Sequence, residues 1–417
     1  MRILLVNQCF YPDVVSTAQH LTDLALQLVE RGHSVTVIAS RRGYDDPDTR
    51  FPAREDFRGI RIIRIGSLGL GKAARWRRAL DFASFMLACA LRLVFMPKFD
   101  VVVGLTSPPL ISLLASLFVR LKGGRFFFWV MDLNPDEAIA AGWLRKDSVT
   151  AKVLSSLLIY SLKWSEKVFV LDRFMKSRII EKGIPEHRLV VIPPWSHDSF
   201  VSFDQKGRLT FRAEHGLTGK FVVMYSGNHS PCHPLDTLLS AARELSAHEE
   251  ISFCFIGGGS EFSKAKAFAE RHGLSNIMCL PYQPLEKLSA SLSAADLHVV
   301  VMGDSFAGLV HPCKIYNILA LSKPFMYIGP KQSPLSDIVS QVEDKEAARM
   351  ALHGDTETVV NHIIEMAQLN LADKDYSTSE VAKRYSMHAL LPGMIDALEF
   401  AGKDVQPCNS PASELIS

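Results

Sequence analysis

Between Phe221 and Pro324 the chain reads three times as an apolar strand, a turn of small residues and a helix, with the polar residues kept for the turns. FVVMYSG ends at Ser226 and Gly227, ISFCFIGGG at Gly257, Gly258 and Gly259, and ADLHVVV runs into a loop that opens the helix KIYNILA. Such alternation predicts parallel strands joined by covering helices, and in an open parallel sheet ligands bind outside the carboxyl ends of the strands, where these turns lie. Glycine lets backbone approach a phosphate closely, and the free N–H groups opening a helix favour an anion. Lys314 and Asn317 are three residues apart and share a helix face, so an ammonium and an amide point to the same side. That pair suits a diphosphate and a ribose, the cation for phosphate oxygens and the amide for hydroxyls. The plainer alternative is a tight strand-to-helix turn followed by a solvated helix start.

The first half alternates in the same way. ILLVN, SVTVIAS, IRIIRI, DVVVG, RFFFWVM, KVFVLD and RLVVIP supply short strands, most with helical stretches between them. The expected class is α/β, with two Rossmann-like doubly wound domains. Ser16 and Gln19 have the spacing of a capping box for a helix carrying Leu21, Leu24, Ala25, Leu28 and Val29 on one face, which Gly32 stops. Pro193, Pro194 and Trp195 interrupt the alternation. Residues 1–195 are therefore expected to form the first domain and 196–375 the second. A helical segment over 376–401 and a disordered polar tail over 402–417 complete the reading.

At 417 residues the chain is long enough for two cores. Its 46 basic and 44 acidic residues leave a net charge of +2, which supplies no global field for nucleic-acid binding. Seven cysteines without a CxxC pair suit free thiols in a reducing compartment, so the expected location is cytoplasmic. MRILLVNQCFYP reads as a first buried strand rather than a leader. No apolar run reaches the roughly 18 residues expected of a membrane span.

The opening strand with ERGHSVTVIAS, the segment WVMDLNPDEAIAAGW, the loop YSGNHSPCHPLDTLLSAAREL, FIGGG and VHPCKIYNILALSKP together resemble glycosyltransferase family 4, over about residues 1–400. The resemblance implies the GT-B fold, with two doubly wound domains facing across a cleft. It implies a retaining transferase of the exopolysaccharide and O-antigen kind, in which the second domain binds a nucleotide-diphosphate sugar, a UDP-sugar above all. A lipid-linked or glycan acceptor belongs to the first domain, and neither a cofactor nor a metal is implied. On this resemblance the donor site comprises Ser226, Gly227, Asn228, His229, Gly257, Gly258, Gly259, His311, Lys314 and Asn317, and the acceptor loop Ser16 and Thr17.

The chain also departs from the family. Leu309 and Asn317 stand where members often carry two glutamates, Asn228 and His233 where a basic pair is common, Ser16 and Thr17 where Gly-Gly is frequent, and Met131 where a histidine precedes the aspartate. Pro312, Lys314 and Tyr316 keep a P-x-K-x-Y pattern shared by related sugar transferases. A nucleotide-sugar epimerase of the same fold and a non-catalytic nucleotide-sugar or glycan-binding subunit are the alternatives left open.

Asp132 and Asp136 bracket a turn at the carboxyl end of RFFFWVM, where a carboxylate can orient an acceptor hydroxyl or stabilise positive charge on a sugar. Their plainer reading is a turn residue and a helix cap. His229, Cys232 and His233 on one loop, with His311 and Cys313 on another, have metal-ligand chemistry but no common zinc spacing, so His229 and His311 are expected to donate to phosphate or sugar while the cysteines pack as small apolar residues. Glu261 is expected to cap its helix. Lys72, Arg75, Arg77 and Arg78 surround Trp76 and precede FASFMLACALRLVFM, which makes residues 72–96 a candidate for contact with an anionic membrane surface.

Overall fold

The structure is a computed structural model that describes residues 1–44, 48–70, 75–196, 201–369 and 378–400. The chain divides into two compact units, one of residues 1–193 and 391–417 and one of residues 194–390. This redraws the expected boundaries. The C-terminal helical segment is not a module of its own, because its first part belongs to the second unit and the rest returns to the first. The expected tail over 402–417 lies outside the described residues.

The first unit runs β1 (Arg2–Val6), α1 (Ser16–Glu30), β2 (Ser34–Ser40), β3 (Arg54–Phe57), β4 (Ile60–Ile65) and α2 (Arg75–Val94). It continues with β5 (Val101–Gly104), α3 (Ile111–Lys122), β6 (Arg125–Trp129), α4 (Asp136–Ala140), α5 (Val149–Trp164), β7 (Lys167–Val170), α6 (Arg173–Glu181) and β8 (Leu189–Val191). The strands form one sheet in the order β3-β4-β2-β1-β5-β6-β7-β8, parallel except for β3. The parallel strands read as continuous apolar runs because helices cover both faces. Arg-Glu-Asp-Phe of β3 has no such run; it is a polar edge strand that the sequence pattern missed.

Ser16 does not build the expected capping box. Val15 occupies the N-cap, Ser16 is already helical, and its hydroxyl lies 3.2 Å from His20 Nδ1, while Gln19 Nε2 donates to Val14 O at 2.6 Å. Ser16 sits one position inside the helix, so its hydroxyl is not at the cap, and the buried His20 Nδ1 donates back to Ser16 O at 2.8 Å.

The second unit runs α7 (Gln205–Glu214), β9 (Phe221–Asn228), α8 (Asp236–Glu244), β10 (Ile251–Gly258), α9 (Ser260–His272), β11 (Ile277–Leu280), α10 (Leu288–Ser293) and β12 (Leu297–Val301). Then come α11 (Lys314–Ala320), β13 (Phe325–Ile328), α12 (Pro334–Gln341), β14 (Ala348–Ala351), α13 (Thr356–Gln368) and α14 (Ser379–Arg384). α15 (Met387–Phe400) carries the chain back into the first unit, where Glu399 meets His33 at 2.7 Å and Arg125 donates to Leu398 O at 2.8 Å.

The second sheet is parallel in the order β11-β10-β9-β12-β13-β14. This is the doubly wound order 3-2-1-4-5-6, whose switch point falls between β9 and β12. Two apolar layers sandwich the sheet, one built on Leu238, Leu239, Val299 and Ile363 and the other on Phe211, Met224, Cys254 and Leu292.

Candidate functional site

At the switch point of the second sheet, the loops leaving β9 and β12 are stitched together. His233 Nδ1 lies 2.7 Å from Val301 O, and Gly303 N donates to Cys232 O at 2.8 Å. The glycine turn after β10 closes the arrangement from the other side. His229 N donates to Gly258 O at 3.0 Å and Glu261 N to His229 O at 3.0 Å.

The glycines are needed for this close approach of backbone to backbone. Gly257 has φ +138°, and a Cβ there would sit 2.0 Å from Gly227 O; Gly259 has φ +130°, and its Cβ would meet His229 O at 2.4 Å. The turn was expected to free space for a phosphate. In this structure the space at Gly257 and Gly259 is filled by the Ser226–His229 loop, while Gly258 faces the Tyr282 ring.

The histidines are also committed. A carbonyl only accepts, so His229 Nδ1, 2.7 Å from Gly227 O, carries the proton, and the sealed Nε2 is left as a bare acceptor without a partner. His229 lies edge-on to Tyr225 and Phe262. Burial first, and the Lys314 charge second, push the His229 and His233 pKa values down to about 3, so both rings are neutral. His311 Nε2 is 2.7 Å from the Tyr316 hydroxyl. The expectation that His229 donates to phosphate is thus corrected: its one N–H fixes the loop.

Lys314 is different. At the start of α11 its Nζ is sealed from solvent, has no hydrogen-bond partner, and sits 3.5 Å from the centroid of the Tyr225 ring. Burial lowers its pKa well below the ordinary lysine value. The aromatic face offsets part of the cost of burying an ammonium, contributing up to about 2 kcal/mol when desolvated, but supplies no anion. Gly227 faces the same group, since a Cβ on it would lie 3.6 Å from Nζ.

Asn317, one turn along α11, is half-buried; Ser226 is half-buried and Asn228 exposed. Leu309, at a position where family members often carry glutamate, is buried. Glu261 accepts from Leu235 N at 3.3 Å, tying α9 to the start of α8 rather than capping its own helix.

The first unit places Asp132 just past β6, while Ser16 and Thr17 are half-buried in the first turn of α1. Desolvation, and then the nearby Glu137 carboxylate, raise the Asp132 pKa to about 8. Glu137 accepts from Asn134 Nδ2 at 2.8 Å. Sequence reasoning overlooked Glu137; the signal was a third carboxylate in the Asp-Leu-Asn-Pro-Asp-Glu run. Asp136 is paired with Lys182 at 2.6 Å at the start of α4, so the two aspartates of the turn have separate surroundings. Among the described residues no group of three or more His, Cys, Asp or Glu side chains is placed to hold a metal ion.

Two doubly wound units, the second with its switch point between β9 and β12, define a GT-B architecture. The model of Glycosyltransferase Family 4 matches residues 17–196 and that of Glycosyl transferases group 1 residues 208–311. The chain belongs to glycosyltransferase family 4. "Probable glycosyltransferase WbjE" of Pseudomonas aeruginosa is 26% identical over 242 residues, 58% of this chain and 60% of that protein. "Putative colanic acid biosynthesis glycosyl transferase WcaI" of Escherichia coli is 24% identical over 340 residues, 77% of this chain and 81% of that protein. HepE of Anabaena, solved with UDP and glucose, superimposes with a TM-score of 0.70 at 13% identity, covering 96% of this chain and 99% of that one.

Proposed function

We propose that the chain transfers a sugar from a nucleotide-diphosphate sugar, first of all a UDP-sugar, to a lipid-linked or polysaccharide acceptor in cell-surface glycan assembly, with retention at the anomeric carbon. The observation that carries this reading is Lys314, a sealed amine without a hydrogen-bond partner at the switch point of a Rossmann-type sheet. A diphosphate would supply the missing anion, accepting charge-assisted bonds from the Lys314 ammonium. HepE, with UDP bound, and WcaI, with colanic acid in its name, support the same donor and product classes.

In the proposed reaction an acceptor hydroxyl attacks the anomeric carbon, the bond from that carbon to the phosphate oxygen breaks, and the hydroxyl proton passes to the departing phosphate on the same face. Asp132, held protonated at neutral pH beside Glu137, orients the acceptor hydroxyl from the first unit. Diphosphate charge is met by Lys314 and neighbouring hydrogen-bond donors rather than by a metal, so turnover should survive chelation.

Calorimetric titration with UDP and UDP-sugars tests the donor site directly. Asp132→Asn should leave that affinity nearly unchanged and lower kcat, and it should remove an inflection near pH 8 from the rate profile. Wild-type kcat and an unchanged profile would make Asp132 a turn residue. Donor consumption without any acceptor would point to an epimerase instead.

A further inference from the structure

α3 packs against both α2 and α5, so the three helices form a continuous row on the first unit. Each turns an apolar stripe outward. On α2 these are Leu80, Leu87, Leu91 and Val94, on α3 Leu117 and Leu121, and on α5 Val149 and Val153, spaced three, four or seven residues apart as one helical face requires. Leu121 and Phe95 are each 82% exposed. Between α2 and α3 runs a groove walled by Ala90, Leu93, Val94, Phe118 and Leu121, with Lys122 at its edge. An apolar area this continuous marks an interaction surface.

The charge around the stripes has one sign. The three helices carry eight arginines and lysines and a single acid, Asp81, whose Oδ1 is taken by the backbone N–H of Gly69 at 2.6 Å. The whole chain nets only +2, so the remainder is acidic on balance and the excess of basic residues is concentrated here. Tryptophans border the stripes: Trp76 and Trp164 are 61% and 48% exposed, and the Arg120 guanidinium stacks 3.8 Å from the Trp164 ring while donating to the Tyr160 hydroxyl at 2.6 Å. Amphipathic aromatics, snorkelling cations and apolar stripes are the chemistry of a headgroup boundary. No helix among the described residues is long and apolar enough to cross a membrane.

We propose that the α2–α3–α5 face docks the protein on an anionic lipid bilayer, with the stripes buried among the headgroups and the basic residues against lipid phosphates. This enlarges the expected segment 72–96 to three helices; Lys72 itself lies outside the described residues. The inference does not depend on the donor site. A protein partner of matching charge would need a complementary acidic surface, whereas a bilayer supplies the apolar and anionic layers together.

The experiment is co-sedimentation of the full chain with vesicles of phosphatidylglycerol and phosphatidylcholine, compared with phosphatidylcholine alone, at low and high salt. Binding should require the anionic lipid and fall with salt. Leu87→Glu with Leu121→Glu, and separately Arg77→Gln with Lys122→Gln and Lys152→Gln, should each weaken binding by about tenfold or more without changing the melting curve. Failure of the wild type to bind anionic vesicles, or binding indifferent to both sets of substitutions, would overturn the proposal. A doubled mass in solution that Leu121→Glu halves would assign the face to a second copy of this chain.

Discussion

Buried polar side chains stand at both ends of the second sheet in opposite condition. At its amino end Arg208 donates to Ser293 O at 2.6 Å, to Ala295 O at 2.8 Å and to Asp296 Oδ1 at 2.5 Å, Arg212 pairs with the other carboxylate oxygen, and Val222 N donates to that oxygen at 2.7 Å. At the carboxyl end Lys314 Nζ and His229 Nε2 are sealed and have no partner. Buried charge is stabilising to the structure only when hydrogen bonds and counter-charges close around it. The closed network anchors α7 to β9 and β12, and the open end leaves an amine and a bare imidazole acceptor without partners.

The largest expected effect breaks the closed end. Asp296→Ala leaves two buried guanidiniums without their carboxylate and should cost about 3–5 kcal/mol of stability, read by denaturant unfolding. UDP affinity of the remaining folded protein should be unchanged, since the network lies at the other end of the strands. Lost affinity would couple the two ends.

Lys314→Met should act with the opposite sign on the two quantities. UDP should bind about tenfold or more weakly, for a charge-assisted phosphate bond worth roughly 1.5–3 kcal/mol. Ligand-free protein should melt at the same or a higher temperature, because a sealed amine without a partner is replaced by an apolar chain of similar length. Equal affinity for UDP in a folded mutant would take Lys314 out of the site.

Protonation sharpens the comparison further. The Lys314 pKa is depressed in the ligand-free protein, so below the ordinary lysine pKa the unfolded chain holds more protons there, and stability rises with pH across that window. A bound diphosphate favours the charged amine and raises that pKa, so any proton taken up on UDP binding falls on Lys314 and affinity weakens as pH rises towards the ordinary lysine value. Calorimetry in buffers of different ionisation heat measures that uptake, and none should remain in Lys314→Met. His229 and His233, depressed to about 3, and His298, to about 4, contribute stability that is complete above about pH 6.5 and lost as pH falls towards 3. Acid unfolding should set in across that window.

The smallest effect concerns a misread cap. Ser16→Ala removes no N-cap bond and should shift stability by less than about 0.5 kcal/mol, where a true cap would cost about 1.

What could be read beforehand follows from where each signal is written. Seven strand segments of the first half were legible because parallel strands covered on both faces are predominantly apolar, and β3 was not, because an exposed edge imposes no such pattern. Lys314 was legible from its position after the strand ADLHVVV. Its lack of a counter-ion was not, for that depends on which groups the fold brings close. The glycines were found but assigned to a ligand, since a demand for backbone room looks the same in sequence whether a phosphate or another loop fills it.

The passage of α15 back into the first unit makes that unit discontinuous and the second an insertion within it. During vectorial synthesis residues 194–390 are complete as a unit while the first unit still lacks Leu391, Met394, Ile395 and Leu398, all buried in the finished protein, and the Glu399 partner of His33. The domain begun first is therefore the one finished last. Expression of residues 1–193 alone should give an aggregation-prone product, while residues 194–390 carry a complete sheet and its core.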